Sequence, residues 1–180
     1  MIPVPASQIT AGGRVSDQHR SPAMILNVYF RNEWRYAEDW HDMGELAMSV
    51  VRSIKPRSEI ATFGFSEERH TGVSGPDNVL RLALNCDTGF GGFVWLVEED
   101  LPRRGGVYDS VWVSDNLEPP VVEPWVASDP WAPVYLAKRS VLPIPEIIAT
   151  LQEYCRVGTG DRPECIEWAR GNMNGTLLEG

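Results

Sequence analysis

The side chains best able to carry out chemistry in this chain are three histidines and three cysteines. They are His19, His41, His70, Cys86, Cys155 and Cys165. No two histidines have the i, i+4 spacing of a helical zinc site, and no two cysteines have Cys-x2-Cys spacing. A cysteine nucleophile and a histidine base can come from distant parts of a sequence, but the residues flanking each cysteine give no sign of such a pair. We therefore interpret the histidines as surface residues and the cysteines as reduced, small, buried apolar residues.

Two other patterns resemble ligand sites only in part. Residues 89–92 (Gly-Phe-Gly-Gly) look like a phosphate-binding loop, but they lack the Lys-Ser/Thr pair and precede a strand pattern instead of a helix. We interpret them as a β-turn. Asp109, Asp115 and Asp129 do not have the spacing of a calcium loop and are typical of a solvated acidic face. The sequence predicts no enzyme, no metal site and no cofactor.

Residues 98–131 combine acids with tryptophans in a way that favours contact with another molecule. This segment carries eight acids against Arg103 and Arg104, and Trp125 and Trp131 lie among its prolines. Aromatic anchors ringed by charge are typical of protein interface hot spots. Local anchoring of these tryptophans is the alternative. The candidate partner-binding residues are Asp109, Trp112, Asp115, Asn116, Glu118, Trp125, Asp129 and Trp131.

Negative charge is concentrated in the second half of the chain. The formal net charge is −9; residues 1–90 carry 11 acids and 9 Lys/Arg, whereas residues 91–180 carry 14 acids and 7 Lys/Arg. Such a surface repels nucleic acid, whose backbone requires cations. It attracts basic partners and speeds their association by electrostatic steering. An acidic excess that serves only solubility is the alternative.

Neither the N-terminus nor the apolar runs predict export or membrane insertion. Residues 1–5 (Met-Ile-Pro-Val-Pro) lack the basic region and apolar core of a signal peptide. No apolar run approaches the roughly 20 residues that a membrane helix needs. We expect a cytoplasmic protein with neither a membrane nor a nucleic-acid partner.

Two amphipathic helices are predicted from apolar residues at helical spacing. The first covers residues 43–54, with Asp42 and Glu45 spaced as a capping box, and it stops at Pro56. The second begins near Pro145, a residue suited to a first helical turn, and ends at Gly158.

Strand patterns elsewhere predict an antiparallel sheet. They cover residues 24–30, 59–65, 79–85, 93–97 and 109–114, and residues 34–36 and 165–168 can add short strands. In this alternation Trp112 faces away from Val111 and Val113. Structural packing of Trp112 is the alternative to contact with a partner. Prolines argue against regular structure in residues 115–134. The predicted fold class is α+β: a single domain over residues 23–180, with an antiparallel sheet of five or six strands, two amphipathic helices packed on one face, and a flexible N-terminal arm at residues 1–22.

The order of motifs in the C-terminal part resembles the Imm1 family of bacterial immunity proteins, found beside polymorphic toxins in actinobacteria. The motifs are residues 112–116 (Trp-Val-Ser-Asp-Asn), 128–130 (Ser-Asp-Pro), 140–143 (Ser-Val-Leu-Pro) and 158–165 (Gly-Thr-Gly-Asp-Arg-Pro-Glu-Cys), followed by Trp168. The resemblance spans about residues 24–178. From Tyr108 onward the motifs themselves are similar, and before that only the order of the predicted elements is.

This resemblance implies an immunity protein that binds a cognate toxin domain and neutralises it by occluding its active site. Toxins beside such proteins include nucleases and nucleic-acid deaminases, whose substrate grooves are basic, so we expect a toxin with a basic surface as the partner. The alternative is a small-molecule-binding or regulatory module with a pocket between sheet and helices. An enzyme with an unrecognised site is a third reading, and the neighbouring gene would distinguish the three.

Overall fold

The computed structural model describes residues 24–54, 59–72, 75–97, 111–129 and 131–178. The predicted N-terminal arm and Asp109 lie outside these ranges. The helices are α1 (Trp40–Ser53) and α2 (Ile144–Val157). The strands are β1 (Ile25–Phe30), β2 (Glu33–Ala37), β3 (Glu59–Ser66), β4 (Asn78–Asn85), β5 (Phe90–Val97), β6 (Val111–Asp115), β7 (Ala127–Asp129), β8 (Val134–Tyr135), β9 (Leu142–Pro143) and β10 (Glu167–Gly171).

The main sheet is antiparallel and larger than the five or six strands predicted. Its strands follow the order β10–β6–β5–β4–β3–β1–β2, and β9 pairs with the start of β5. The short segments β2 and β10 both pair and form its two edges. Short edge strands carry few alternating residues, so their sequence signal is weak. The α+β class and its two helices are confirmed.

One face of the sheet is covered by both helices, as predicted. Met43, Ala47 and Val50 of α1 and Ile147 and Leu151 of α2 are buried there. They pack on alternate residues of the four central strands β1, β3, β4 and β5. The space between sheet and helices is filled by large side chains with almost no exposure, among them Phe63, Trp95 and Tyr154.

The helix boundaries agree with the sequence signals except at one cap. The N-cap of α1 is Asp39, whose side chain accepts the N–H of Asp42 at 2.9 Å. The capping box predicted at Asp42 is therefore wrong, because the helix begins earlier, at Trp40, ahead of its apolar stripe. The second helix ends as predicted: Gly158 adopts φ 67° and its N–H returns to the carbonyl of Tyr154. No helix in the described ranges is both long and apolar enough to span a membrane.

The connection from β6 to α2 crosses the opposite face of the sheet and builds a second, smaller core. Val126, Leu136 and Val141 of this connection pack with Val94 and Val113 of the sheet. The prediction that residues 115–134 lack regular structure is wrong in part, because β7 and β8 form a short antiparallel hairpin there.

The second core depends on a close approach at Gly92. A Cβ on Gly92 would lie 2.4 Å from Leu136 Cδ1 and 2.5 Å from the carbonyl oxygen of Ser140. Only glycine leaves room for the connection to lie this close to β5. Tyr29 of β1 and Thr62 of β3 are covered only in part and line a groove, so the helix-free side of the sheet has both a covered and an open part.

Candidate partner-binding surface

The predicted partner-binding residues are spread over four places, and Asp109 lies outside the described residues. The four places are the end of β6 (Asp115, Asn116, Glu118), the helix-facing side of β6 (Trp112), the segment beside the β4–β5 turn (Trp125) and the β7–β8 hairpin (Asp129, Trp131).

Asp115, at the end of β6, is already paired within the protein. Its side chain is 8 % exposed, and Arg139 Nε and Nη2 donate to its two carboxylate oxygens at 2.5 and 2.7 Å. This bidentate contact is a strong, charge-assisted one. Its hydrogen bond raises the pKa of Arg139 above the ordinary value for arginine. Asp115 therefore contributes less net charge to the surface than its sequence position indicates.

The chain beyond Asp115 is held so that Glu118 faces solvent. Asn116 Nδ2 donates to the carbonyl of Val141 at 2.7 Å, and Asn116 Oδ1 accepts the N–H of Glu118 at 2.8 Å. Asn116 thus has a positioning role in the turn, while the exposed carboxylate of Glu118 is directed outward.

These residues border a cleft of about 290 Å³ that is lined by four acids. The acids are Asp115, Glu118, Glu146 and Glu167; the other lining residues are Asn116, Leu117, Leu142, Cys165 and Ile166. We call this feature the acidic cleft. Among the described residues, Glu118, Glu146 and Glu167 form no ion pair. The cleft therefore combines negative charge with a smaller apolar lining.

Glu146 and Glu167 were missed by the sequence analysis. Glu146 lies in the first turn of α2, and Glu167 lies opposite Asp115 in the β6–β10 register. Like charges directly opposite each other in a sheet are destabilising, and the pairing of Asp115 with Arg139 reduces that repulsion here. The one sequence signal related to Glu146 and Glu167 was the net negative charge of the C-terminal half.

Trp112 contributes to packing rather than to an open surface. Its ring faces the helix-covered core, opposite to Val113, as the alternation predicts. The guanidinium of Arg162 lies 4.3 Å from its ring centre, and that of Arg170 lies 5.8 Å away. These cation–π contacts link β6 to β10 and to the loop before it. Trp168, the closing tryptophan, donates from Nε1 to the carbonyl of Pro163 at 2.8 Å.

Asp129 and Trp131 border a groove of about 480 Å³ on the open part of the helix-free face. Asp129 Oδ1 accepts the N–H of Trp131 at 3.0 Å, which fixes the hairpin, and the side chain of Trp131 is 95 % exposed. Tyr29, Thr62 and Arg81 also line the groove. Burial lowers the pKa of Arg81, and the negative charge of Asp129 opposes that shift. This groove is therefore mixed in charge, unlike the acidic cleft.

The fourth place is Trp125, which projects from the segment beside the β4–β5 turn. Its side chain is 59 % exposed and meets the ring of Tyr135 edge-on, with centres 5.5 Å apart. Its backbone carbonyl accepts a hydrogen bond from Asn85 Nδ2 at 2.9 Å. The backbone is thus tied to the sheet while the indole lies at the surface.

The model of one protein family, described as immunity protein Imm1, matches residues 33–170. The chain belongs to the Imm1 family. No curated protein and no solved structure gave a significant match. The matched range of this Imm1 protein runs from β2 into β10. It includes both helices, the acidic cleft, Trp125 and the β7–β8 hairpin.

Of the described histidines and cysteines of this Imm1 protein, His41 of α1 and Cys155 of α2 line one shared pocket. The ring of His41 packs edge-on against Trp40, and that of His70 lies 6.2 Å from Trp34. Within the described ranges, His, Cys, Asp and Glu form no cluster of three or more that could hold a metal ion. Cys155 is buried as predicted. The prediction is wrong for Cys86 and Cys165, which are exposed because each lies in a turn or loop outside the packed elements.

Thiol reactivity should follow this difference in exposure. Burial raises the pKa of Cys155 to about 12, so in the folded protein this thiol stays protonated and shielded at mildly alkaline pH. Iodoacetamide should modify Cys86 and Cys165 in the native state and Cys155 only after denaturation. Mass spectrometry of digests taken over time, with and without denaturant, measures this order. Early labelling of Cys155 would contradict the packing of α2 against α1.

Proposed function

We propose that this protein is a cytoplasmic immunity protein that binds a cognate toxin domain and neutralises it by covering the active site. The observation that carries the proposal is membership of the Imm1 immunity family over most of the chain. The surface features support it, because the protein presents exposed tryptophans and, at a separate place, a cleft lined by acids. Such surfaces suit a basic partner with an apolar site.

The proposed mechanism requires binding alone. A toxin domain that cuts or deaminates nucleic acid needs a basic groove for its substrate. Glu118, Glu146 and Glu167 could occupy such a groove in place of phosphates, and their field would steer the two proteins together. Trp125 and Trp131 would then provide apolar anchors at the interface. The proposal needs neither a cofactor nor catalytic turnover by the immunity protein.

The decisive experiment is rescue of growth together with direct measurement of a complex. Cells producing the C-terminal domain of the protein encoded by the neighbouring gene should grow when this chain is co-produced. The two purified proteins should form a one-to-one complex of low-nanomolar affinity, about −12 kcal/mol. Toxin activity should fall in proportion to the immunity protein added and reach zero at equimolar amounts.

Two outcomes would contradict this mechanism. Protection by far less than one equivalent would indicate that the protein acts by turnover on the toxin or on its substrate. Rescue without a detectable complex would point the same way. A neighbouring metabolic operon, with no toxin domain, would favour a small-molecule-binding or regulatory module, for which the groove beside Asp129 and Trp131 is the candidate pocket.

A further inference from the structure

The backbone at Trp125 adopts a conformation that large L-residues rarely occupy. Its φ is 47°, in the left-handed region, where a bulky side chain crowds its own backbone. Glycine or asparagine usually occupies such positions. A tryptophan persists there only where the surrounding structure holds it, and this kind of strain is concentrated at functional sites.

Three side chains from other elements hold the segment that carries Trp125. Asn85 Nδ2 donates to the carbonyl of Trp125 at 2.9 Å, and Thr88 Oγ1 donates to the carbonyl of Pro124 at 2.7 Å. Lys138 Nζ donates to the carbonyl of Val121 at 2.7 Å. Pro124 and Val126 on either side of Trp125 are buried, so the segment is fixed between two packed residues. Its conformation is set before any partner arrives.

This fixed segment displays apolar side chains to solvent. Val121 is 94 % exposed, and Val122, Trp125 and Tyr135 are exposed as well. We call these four side chains the Trp125 ridge. The same segment also carries Val126, which is buried in the second core. The ridge residues are therefore exposed although a core is available next to them. The rings of Trp125 and Tyr135 are in contact, and exposed apolar groups on a rigid support are typical of protein interaction sites.

The charges near the ridge indicate what covers it. Glu118 and Asp87 are exposed acids in the adjoining turns, and the one nearby lysine, Lys138, is already paired with Glu123 at 2.8 Å. These two acids therefore place negative charge in the turns that adjoin the ridge. Its complement is an apolar pocket bordered by lysine and arginine side chains.

We propose that the Trp125 ridge is a preorganised anchor for the toxin domain and that Thr88 and Asn85 are positioning residues for it. This inference rests on the proposed function. A side chain already held in its bound conformation loses little entropy on binding, so its apolar contacts contribute more fully to affinity. Tryptophan and tyrosine are the residues most often found at such anchors.

The test uses the C-terminal domain encoded by the neighbouring gene as the probe and compares variants of this chain with the wild type by surface plasmon resonance and thermal melting. Trp125→Ala should weaken binding by about 30-fold or more, mainly through faster dissociation. Trp40→Ala is the matched control, because Trp40 is 74 % exposed at the start of α1 and lies outside the ridge. It should bind as the wild type does. Trp125→Gly should bind as weakly as Trp125→Ala but melt higher, since glycine tolerates the left-handed backbone.

Thr88→Val tests positioning, because it removes the hydroxyl donor but leaves every side chain of the ridge in place. It should weaken binding on the order of fivefold in the wild type and have almost no effect in the Trp125→Ala background, as a double-mutant cycle would show. Thr88→Ser should restore the affinity. Equal losses in both backgrounds would mean that Thr88 acts on the fold in general, and would overturn its positioning role.

The remaining outcomes separate this inference from the function on which it rests. If the wild type binds no toxin domain, the proposed function fails and the inference fails with it. If the wild type binds and Trp125→Ala binds equally well, only the inference fails. A wild type that self-associates in sedimentation experiments, with dimerisation lost in Trp125→Ala and toxin binding kept, would assign the ridge to a second copy of this chain.

Discussion

Exchanging Glu118 and Glu167 together for lysine is expected to slow association with the toxin domain on the order of tenfold or more at physiological ionic strength. Both carboxylates line the acidic cleft and are exposed. If a basic toxin surface docks there, the exchange removes most of the attraction during the encounter. Stopped-flow association rates over a range of salt concentrations measure the effect. The wild-type rate should fall as salt rises, and the variant rate should depend on salt much less.

The same exchange should leave the fold intact, which separates a binding defect from unfolding. Glu167 lies opposite Asp115 in the β6–β10 register, so a lysine there replaces a like-charge pair by an opposite-charge pair. The melting temperature should therefore stay the same or rise.

A second charge exchange controls for the change in net charge. Glu67 and Glu68 are exposed acids just after β3, four strand positions from β10, and their exchange for lysine changes the net charge equally. If both double variants slow association to the same degree, only net charge matters and the cleft is not the contact. An unchanged rate in the cleft variant would place the interface elsewhere, for example on the groove beside Trp131.

Local sequence patterns predicted the parts of this fold that are determined by neighbouring residues. The apolar period of α1 and α2 and the glycine at position 158 gave both helices and the end of the second. Alternation in β6 predicted that Trp112 faces away from Val111 and Val113, and it does. These features depend on the geometry of a single helix or strand, so a short window of sequence contains them.

The acidic cleft could be predicted only in part, because distant segments assemble it. Asp115, Asn116 and Glu118 are consecutive or nearly so, and the sequence singled them out. Glu146 and Glu167 arrive through the start of α2 and the pairing of β10 with β6, and no local pattern specifies that pairing. The hydrogen bond from Arg139 to Asp115 joins residues 24 positions apart. The neutralisation of the Asp115 charge therefore could not be predicted from a local pattern either. Only the excess of acidic residues in residues 91–180 indicated that this half of the chain has a negatively charged surface.

Replacing Gly160 by alanine is expected to lower the free energy of unfolding by at least about 3 kcal/mol. Gly160 has φ 79°, and a Cβ there would lie 2.3 Å from Asn78 Oδ1. Asn78 cannot move away cheaply. Its Oδ1 accepts the N–H of Phe65 and the hydroxyl of Tyr154, and its Nδ2 donates to the carbonyl of Phe65. Displacing it leaves buried polar groups without partners, which is costly. Chemical denaturation measures the loss.

Gly158→Ala is the control that separates backbone strain from this clash. Gly158 also has a left-handed φ, of 67°, but its Cβ would meet nothing closer than the carbonyl oxygen of Cys155 at 3.7 Å. Its replacement should cost only about 1 kcal/mol. If both variants lost the same free energy of unfolding, the close contact between Gly160 and Asn78 would add no cost beyond backbone strain. A much larger loss at Gly160 would show that the loop is fixed against the sheet through Asn78. That same loop leads to Cys165 and Ile166 at the acidic cleft. Because the folded variant keeps the cleft, Gly160→Ala should weaken toxin binding only in proportion to the fraction unfolded.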